Sequence, residues 1–251
     1  MDTAGIVGVA GGVGRMQTKA LDYRDGALRL SGLLVHGDGV SGMRPGIVLF
    51  PDARGIGDHA VERARRLAAL GFTALVADLY GNGASARDTA HAWELMGDLR
   101  SDETRWRGRA QAALDALSSQ ENVDSTRIAA VGFCFGGSTA LELARSGAPL
   151  VGVVSFHGGF HSKRPEDARN IKAKVLVCHG AMDPLVPRAQ LAAFEEEMSK
   201  TNVDWQVHEY GGAMHAFTNP GVEGEGMAYN ALADQRSWNA MLALFQEVFG
   251  R

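Results

Sequence analysis

Residues 129–144, AAVGFCFGGSTALELA, place a cysteine among glycines at the end of an apolar run. Gly132, Cys134 and Gly136 fit the pattern G-x-nucleophile-x-G, in which a sharp turn between a strand and a helix lifts the central side chain out of a sheet. The amides at the start of such a helix favour an anionic sulfur. The pattern therefore indicates a nucleophilic thiol, although an intracellular cysteine also serves as a small core residue.

Two further residues follow in the chain order nucleophile, acid, histidine that a catalytic triad of this kind requires. Asp183 comes shortly after the apolar run VLVCHG, and His215 lies in a loop that follows another apolar run. Because the carboxyl ends of parallel strands meet at one edge of a sheet, we expect both to lie near Cys134. His215 would take the thiol proton, and Asp183 would orient the imidazole. Asp183 could instead cap a helix that begins near Pro187, and His215 could be a solvated loop residue.

The elements that must position these residues are apolar runs separated by segments of helical period. The runs are GIVLFP (46–51), FTALVADLY (72–80), RIAAVGF (127–133), LVGVVSFH (150–157) and KVLVCHG (174–180). Continuous apolar runs are typical of strands buried on both faces, and their alternation with helices predicts βαβ units and a parallel sheet. Asp25 and Gly26, between two apolar segments, predict an antiparallel hairpin at its start. We expect a disordered or loosely ordered extension over residues 1–16 and a single domain over 17–251.

Composition and charge exclude several classes of function. The chain of 251 residues carries 25 Lys and Arg against 29 Asp and Glu, a formal net charge of −4, and its basic residues form no cluster. We therefore expect neither nucleic acid nor an anionic membrane surface as a partner. Cys134 and Cys178 lack the spacing of a zinc site or a disulfide framework, so we expect no metal. Because the N-terminus lacks the basic region of a secretory signal, the sequence favours a cytoplasmic protein.

Together these segments resemble the dienelactone hydrolases of the α/β-hydrolase superfamily, enzymes that use a Cys, Asp and His triad. The resemblance covers nearly the whole chain from about residue 17 and rests on GFCFGG, HGAMDPLVP, YGGAMHAFTNP, LFPDARGIG and ADLYG. It implies an α/β-hydrolase fold, with an eight-stranded, mostly parallel sheet flanked by helices on both faces. It also implies a cofactor-free hydrolase of small esters or lactones, working as a monomer or small homo-oligomer. Cys134 would be the nucleophile that forms an acyl-thioester, His215 the base and Asp183 its orienting acid.

The loop PDARGIGDH bears on the oxyanion hole, which needs two amides aimed at the tetrahedral oxygen. The turn after Cys134 supplies the amide of Phe135, and we expect Ala53 to supply the second. In dienelactone hydrolases the residue just before this position is a glutamate that interacts with the thiol. The matching residue here is Asp52. Asp52 could instead form a turn or cap the helix that starts near Asp58.

Two positions depart from the family pattern. Dienelactone hydrolases hold the substrate carboxylate with two arginines, and the matching residues here are Asn82 and Asn219. A neutral amide cannot replace the charged part of that contact, so we expect an uncharged ester or lactone unless Arg54 or another arginine reaches the pocket. His157 and Trp93 are further candidates for the pocket, Trp93 either on a lid over the site or in ordinary core packing.

Other functions stay open at this point. A thioesterase or a small-peptide hydrolase would use the same acyl transfer to the thiol. A thiol sensor would be modified at Cys134 without turnover. A binding scaffold would keep the fold and lose the activity. Catalytic release of an alcohol separates an ester hydrolase from the sensor and from the scaffold.

Overall fold

The computed structural model describes residues 16–38, 42–222 and 224–250, so the predicted extension over 1–16 falls outside it except for Met16, which begins the first strand. The strands are β1 Met16–Asp25, β2 Leu28–Gly37, β3 Arg44–Phe50, β4 Thr73–Val76, β5 Val123–Phe133, β6 Gly152–Phe156, β7 Lys174–Gly180 and β8 Trp205–Tyr210. The helices are α1 Asp58–Ala69, α2 Thr89–Ser101, α3 Glu103–Ser118, α4 Phe135–Arg145, α5 Arg188–Ser199 and α6 Ala231–Phe249, with a 3₁₀ helix at Pro165–Asn170. Within the three described ranges, no helix is long and apolar enough to cross a membrane.

The eight strands form one sheet in the order β1-β2-β4-β3-β5-β6-β7-β8. β1 and β2 form an antiparallel hairpin in which Asp25 pairs with Leu28, and Gly26 in its turn takes a φ of 57°. β2 also pairs antiparallel with β4, whereas every pair from β4 through β3 to β8 is parallel. The predicted hairpin and the predicted mostly parallel, eight-stranded sheet are both confirmed.

Helices cover both faces of the sheet, and the side chains of the central strands alternate between the two faces. On β3, Ile47 and Leu49 belong to the hydrophobic cluster that includes α1 and α6, whereas Val48 and Phe50 belong to the cluster that includes α3 and α4. All four side chains are fully buried. Burial of a side chain of this kind stabilises the fold by about 1.5–3 kcal/mol. The loops at the carboxyl ends of the central strands therefore start from firmly held positions.

β4 ends at Val76, earlier than the apolar run over residues 72–80 predicts. The cause is the carboxylate of Asp78, which accepts hydrogen bonds from four backbone amides at 2.7 to 3.0 Å, those of Ser31, Tyr80, Gly81 and Gly83. These bonds turn the chain out of the sheet and tie it to β2. The carboxylate thus provides hydrogen-bond acceptors for backbone N–H groups that, in a longer strand, would have bonded to a neighbouring strand.

Candidate active site

Cys134 lies at the junction of β5 and α4, in a backbone conformation that L-residues rarely adopt. Its φ is 54° and its ψ is −119°. The elbow on which it sits leaves no room for side chains at the flanking glycines. A Cβ on Gly132 would overlap the carbonyl oxygen of Gly136, and a Cβ on Gly136 would overlap that of Phe50. The chain can therefore turn sharply here and present a half-buried thiol at the start of α4.

Cys134, His215 and Asp183 lie together at the carboxyl edge of the sheet. Nε2 of His215 is 3.1 Å from Sγ of Cys134, and Nδ1 of the same ring is 2.7 Å from Oδ2 of Asp183. The other carboxylate oxygen of Asp183 accepts hydrogen bonds from the amides of Leu185 and Val186 at 2.8 and 3.1 Å. Asp183 therefore fixes its own loop and orients the imidazole. It does not cap α5, whose first turn receives no side-chain cap.

The surroundings of His215 favour its charged form. The residue is only 4% exposed, so it is not a solvated loop residue. Burial lowers the pKa of the imidazole, but the negative charge of Cys134 and the hydrogen bond to Asp183 outweigh burial and raise that pKa to about 10. Opposite charges at this separation stabilise each other. The arrangement thus favours a protonated imidazole next to Sγ of Cys134.

A cleft of about 730 Å³, including its part open to solvent, reaches Cys134 and His215 from the surface. Most of its wall is apolar and comes from α2 and from the loops after β7 and β8: Ala92, Trp93, Met96, Leu185, Val222 and Met227. Trp93 is 49% exposed, so it is not an ordinary core residue. Asp52, Ala53, Arg54 and Asn219 also line the cleft. Cys134 and His215 therefore face a partly enclosed, largely apolar space.

Asn82 lies outside this cleft, contrary to the sequence-based expectation. Its amide donates a hydrogen bond to the carbonyl of Arg29 on β2 at 2.9 Å. The bonds of Asp78 have already turned the chain toward β2 at this point. Of the two asparagines at the family's arginine positions, only Asn219 lines the cleft. Arg54 lines it as well, with Nη2 3.3 Å from the hydroxyl of Thr89.

His157 lines the cleft, but both of its ring nitrogens bind protein groups. Nδ1 accepts a hydrogen bond from the amide of Cys134 at 3.1 Å, so Nε2 carries the proton and donates to the hydroxyl of Thr218 at 2.8 Å. Burial, reinforced by the charge of His215, holds the pKa of His157 well below its usual value. His157 is therefore a neutral support of the elbow rather than a free donor or acceptor for substrate. The sequence gives no signal for this contact.

Backbone strain is concentrated around the same cleft. Three of the non-glycine residues with positive φ line it: Cys134 at 54°, His157 at 40° and Ala216 at 56°. Each such residue costs on the order of 1–3 kcal/mol. Strained residues persist only where the surrounding structure holds them, and they gather at functional sites.

Asp52 lines the cleft and forms the turn after β3. One carboxylate oxygen accepts a hydrogen bond from the amide of Arg54 at 2.8 Å, and its carbonyl accepts one from the amide of Gly55 at 3.0 Å. It does not cap α1, because Gly57 occupies the cap position without a side-chain hydrogen bond. Burial raises the pKa of the Asp52 carboxyl, although the hydrogen bond from the Arg54 amide lowers that pKa in part.

The two amides expected to form an oxyanion hole come from neighbouring segments. Phe135 is the first residue of α4, so its N–H has no partner inside the helix. Ala53 lines the cleft together with Cys134. Gly136 packs directly against the carbonyl of Pro51, which brings the loop of Ala53 against the elbow. The two segments therefore meet beside the thiol.

Comparison with known proteins agrees with this fold. A model of the dienelactone hydrolase family matches residues 30–249. Two solved structures are each 49% identical to this chain, over 94% of its residues and 99% of theirs. One is called m3DLH and has a TM-score of 0.90. The other is a dienelactone hydrolase-like promiscuous phosphotriesterase from metagenomic libraries and has a TM-score of 0.88. A probable 2-oxo-3-(5-oxofuran-2-ylidene)propanoate lactonase from Bradyrhizobium sp is 28% identical over 81% of this chain and 84% of its own. The chain belongs to the dienelactone hydrolase family.

Proposed function

We propose that this protein hydrolyses carboxylic esters or lactones through an acyl-thioester on Cys134. The observation that carries the proposal is the continuous series of hydrogen-bonding distances from Asp183 through His215 to Cys134, which ends in an open cleft. Nucleophile, base and orienting acid in this arrangement are the parts that acyl transfer needs. The name of the Bradyrhizobium relative supports a lactone or ester as substrate.

In the acylation step, Sγ of Cys134 attacks the carbonyl carbon of the ester, and the π electrons of the carbonyl move onto its oxygen. The amides of Phe135 and Ala53 would stabilise this oxyanion, and one such donor contributes about 10²- to 10³-fold to the rate. As the oxyanion collapses, the C–O bond to the leaving group breaks. His215 gives its proton to the departing alkoxide. The products of the step are an alcohol, an acyl-thioester and a neutral imidazole.

In the deacylation step, the neutral His215 takes a proton from a water molecule that attacks the thioester carbon. Collapse of the second tetrahedral intermediate breaks the C–S bond and releases the acid. The thiolate and the imidazolium are thereby restored. Asp183 stabilises the imidazolium and keeps Nε2 pointed at the sulfur. Asp52 would modulate the thiol from the neighbouring turn, since its carboxylate interacts with the charge of His215.

A covalent acyl group on Cys134 tests this mechanism. We expect acid quenching during turnover of a p-nitrophenyl ester to give a chain heavier by one acyl group in place of the thiol proton, and peptide mapping to locate it on Cys134. Cys178 is an internal control, because it is fully buried and burial raises the pKa of its thiol to about 12. Turnover without any label on Cys134 would contradict the proposal. A single label without further release of alcohol would favour the thiol sensor instead.

The cleft favours an uncharged substrate. Its wall is mostly apolar, and at Asn219 it offers an amide where the family pattern has an arginine. An anion placed in such a space loses hydration, and Arg54, the arginine of its lining, is exposed and bonded to Thr89. We therefore propose neutral esters or lactones as the preferred class.

Substitution of Asn219 by arginine should shift this preference. We expect the wild type to have a higher kcat/KM for a neutral ester than for a matched ester with a free carboxylate, and Asn219→Arg to shift the ratio toward the anion by about tenfold, since a close charge pair contributes about 1–3 kcal/mol. Asn82→Arg is the matched control, because Asn82 lies outside the cleft and should leave the ratio unchanged. A wild type that prefers the anionic ester would refute the proposed preference and would indicate that a cation of the cleft, such as Arg54, binds the carboxylate.

A further inference from the structure

We propose that Tyr80 is a positioning residue for the oxyanion hole, because its hydroxyl and its ring contact the two segments that supply the amides of Ala53 and Phe135. The inference rests on the function proposed above and adds a residue to it. Tyr80 is not among the described residues that line the cleft, so it acts through Ala53 rather than on the substrate. Tyr80 lies in the turn that Asp78 forms after β4, because the amide of Tyr80 donates a hydrogen bond to the Asp78 carboxylate.

The hydroxyl of Tyr80 holds one peptide group of the loop after β3. It donates a hydrogen bond to the carbonyl of Ala53 at 2.8 Å. The N–H of the same peptide group, which belongs to Arg54, donates to the carboxylate of Asp52 at 2.8 Å. The peptide group between Ala53 and Arg54 is thus fixed at both ends. Its plane cannot rotate without loss of one of these bonds.

The preceding peptide group is fixed as well. The carbonyl of Asp52 accepts a hydrogen bond from the amide of Gly55 at 3.0 Å. In a trans peptide the N–H points opposite to the C=O, so the N–H of Ala53 points away from this turn. Ala53 therefore lies between two peptide groups of fixed orientation. Loss of the Tyr80 bond would leave the second group held at its N–H alone, so the turn that sets the direction of the Ala53 N–H would be less restrained.

The ring of Tyr80 contacts the other donor segment. It stacks on the ring of Phe135 with a centroid distance of 6.4 Å and an interplanar angle of 4°. Phe135 also stacks on Trp106 at 5.2 Å, and the indole N–H of Trp106 donates to the hydroxyl of Thr139 at 2.9 Å. That hydroxyl donates in turn to the carbonyl of Phe135 at 2.9 Å. Tyr80 thus links the loop after β3 to the first turn of α4.

The Tyr80 hydroxyl can serve this purpose only while it keeps its proton. Burial raises the pKa of Tyr80, and the negative charges of Cys134 and Asp52 raise it further. The hydroxyl therefore stays a donor over the pH range in which an ester hydrolase is assayed.

Tyr80→Phe removes the hydroxyl and keeps the ring. We expect kcat to fall about tenfold with KM changed by less than about twofold, because the oxyanion exists in the transition state and not in the bound ester. An aldehyde inhibitor should bind about tenfold more weakly, since Sγ bonds to its carbonyl carbon and an electron pair moves onto its oxygen. Alkylation of Cys134 by iodoacetamide should keep its rate, because displacement of iodide forms no oxyanion.

Tyr210→Phe is the matched control. It removes a hydroxyl that donates to Sγ of Cys178 at 3.7 Å, and it should leave kcat and the aldehyde affinity unchanged. A Tyr80→Phe enzyme with wild-type kcat and wild-type aldehyde affinity would overturn the inference. An alkylation rate that falls in parallel with kcat would also overturn the inference, because the substitution would then have changed the reactivity of the Cys134 thiol and not the oxyanion hole. Cys134→Ala is assayed alongside: if it keeps full turnover, the proposed function fails and the inference falls with it, whereas an inactive Cys134→Ala with an unaffected Tyr80→Phe overturns the inference alone.

Discussion

His215→Ala is expected to lower kcat for an aryl ester by about 10³-fold or more, and Cys134→Ala by at least as much. The first variant loses the base that activates water and the acid that protonates the leaving group, and such groups contribute about 10²- to 10⁴-fold. The second loses the nucleophile itself. Because groups of one catalytic unit are not additive, the double variant should be little slower than either single variant. Initial rates at saturating ester, corrected for the uncatalysed reaction, measure the effect.

The control for this loss is His161→Ala, which removes an exposed imidazole that does not line the cleft. It should keep the wild-type kcat. Addition of free imidazole should restore part of the activity of His215→Ala, since a small base can enter the space left by the ring. A His215→Ala enzyme with near-wild-type kcat would show that another group moves the proton.

At pH 6.5, iodoacetamide is expected to alkylate Cys134 of the wild type about 10- to 100-fold faster than the same thiol in His215→Ala, because the imidazole 3.1 Å from Sγ can take the thiol proton and stabilise the sulfur anion, and alanine can do neither. Since the charge of Cys134 and the bond to Asp183 raise the pKa of His215 to about 10, its imidazolium is present throughout neutral pH and is lost only as the pH rises through that value. A positive charge therefore stays beside Sγ of Cys134 over the same range.

Two pH–rate profiles provide the measurement. Between about pH 6.5 and 9 the wild-type rate should depend less steeply on pH than the rate of His215→Ala, in which no imidazole stands beside the sulfur. Mass spectrometry must show a single label per chain, because the other thiol, that of Cys178, is fully buried. Profiles of the same shape for both proteins would mean that the imidazole is uncharged in the resting enzyme.

Local sequence signals predict the sheet and the proximity of Cys134, Asp183 and His215. The apolar runs over 46–51 and 174–180 correspond closely to β3 and β7, because strands buried on both faces must be apolar throughout. Glycines at Gly132 and Gly136 reveal the elbow, since the turn excludes a Cβ at both positions. The placement of Asp183 and His215 near Cys134 follows from the rule that parallel strands end at one edge of a sheet.

Contacts between distant parts of the chain could not be predicted in this way. Asp78 ends β4 by binding the amide of Ser31, 47 residues earlier, and this contact moves Asn82 away from the cleft. His157 and Thr218 meet across 61 residues, and the hydroxyl of Tyr80 reaches a carbonyl 27 residues earlier. No periodicity or short motif encodes such pairs, because each depends on how two loops leave the sheet.

The strain stored around the cleft has a consequence for the tolerance of this protein to mutation. Cys134, His157 and Ala216 all hold positive φ values. At about 1–3 kcal/mol each, their combined cost is comparable to much of the 5–15 kcal/mol net stability of a typical domain. The packed helices and strands far from the thiol must offset that cost, so the stability reserve left for accepting new side chains is smaller than it would be without the strain. Laboratory evolution of a new substrate range should therefore begin from a variant whose core has first been stabilised, because substitutions at the cleft will otherwise exhaust that reserve.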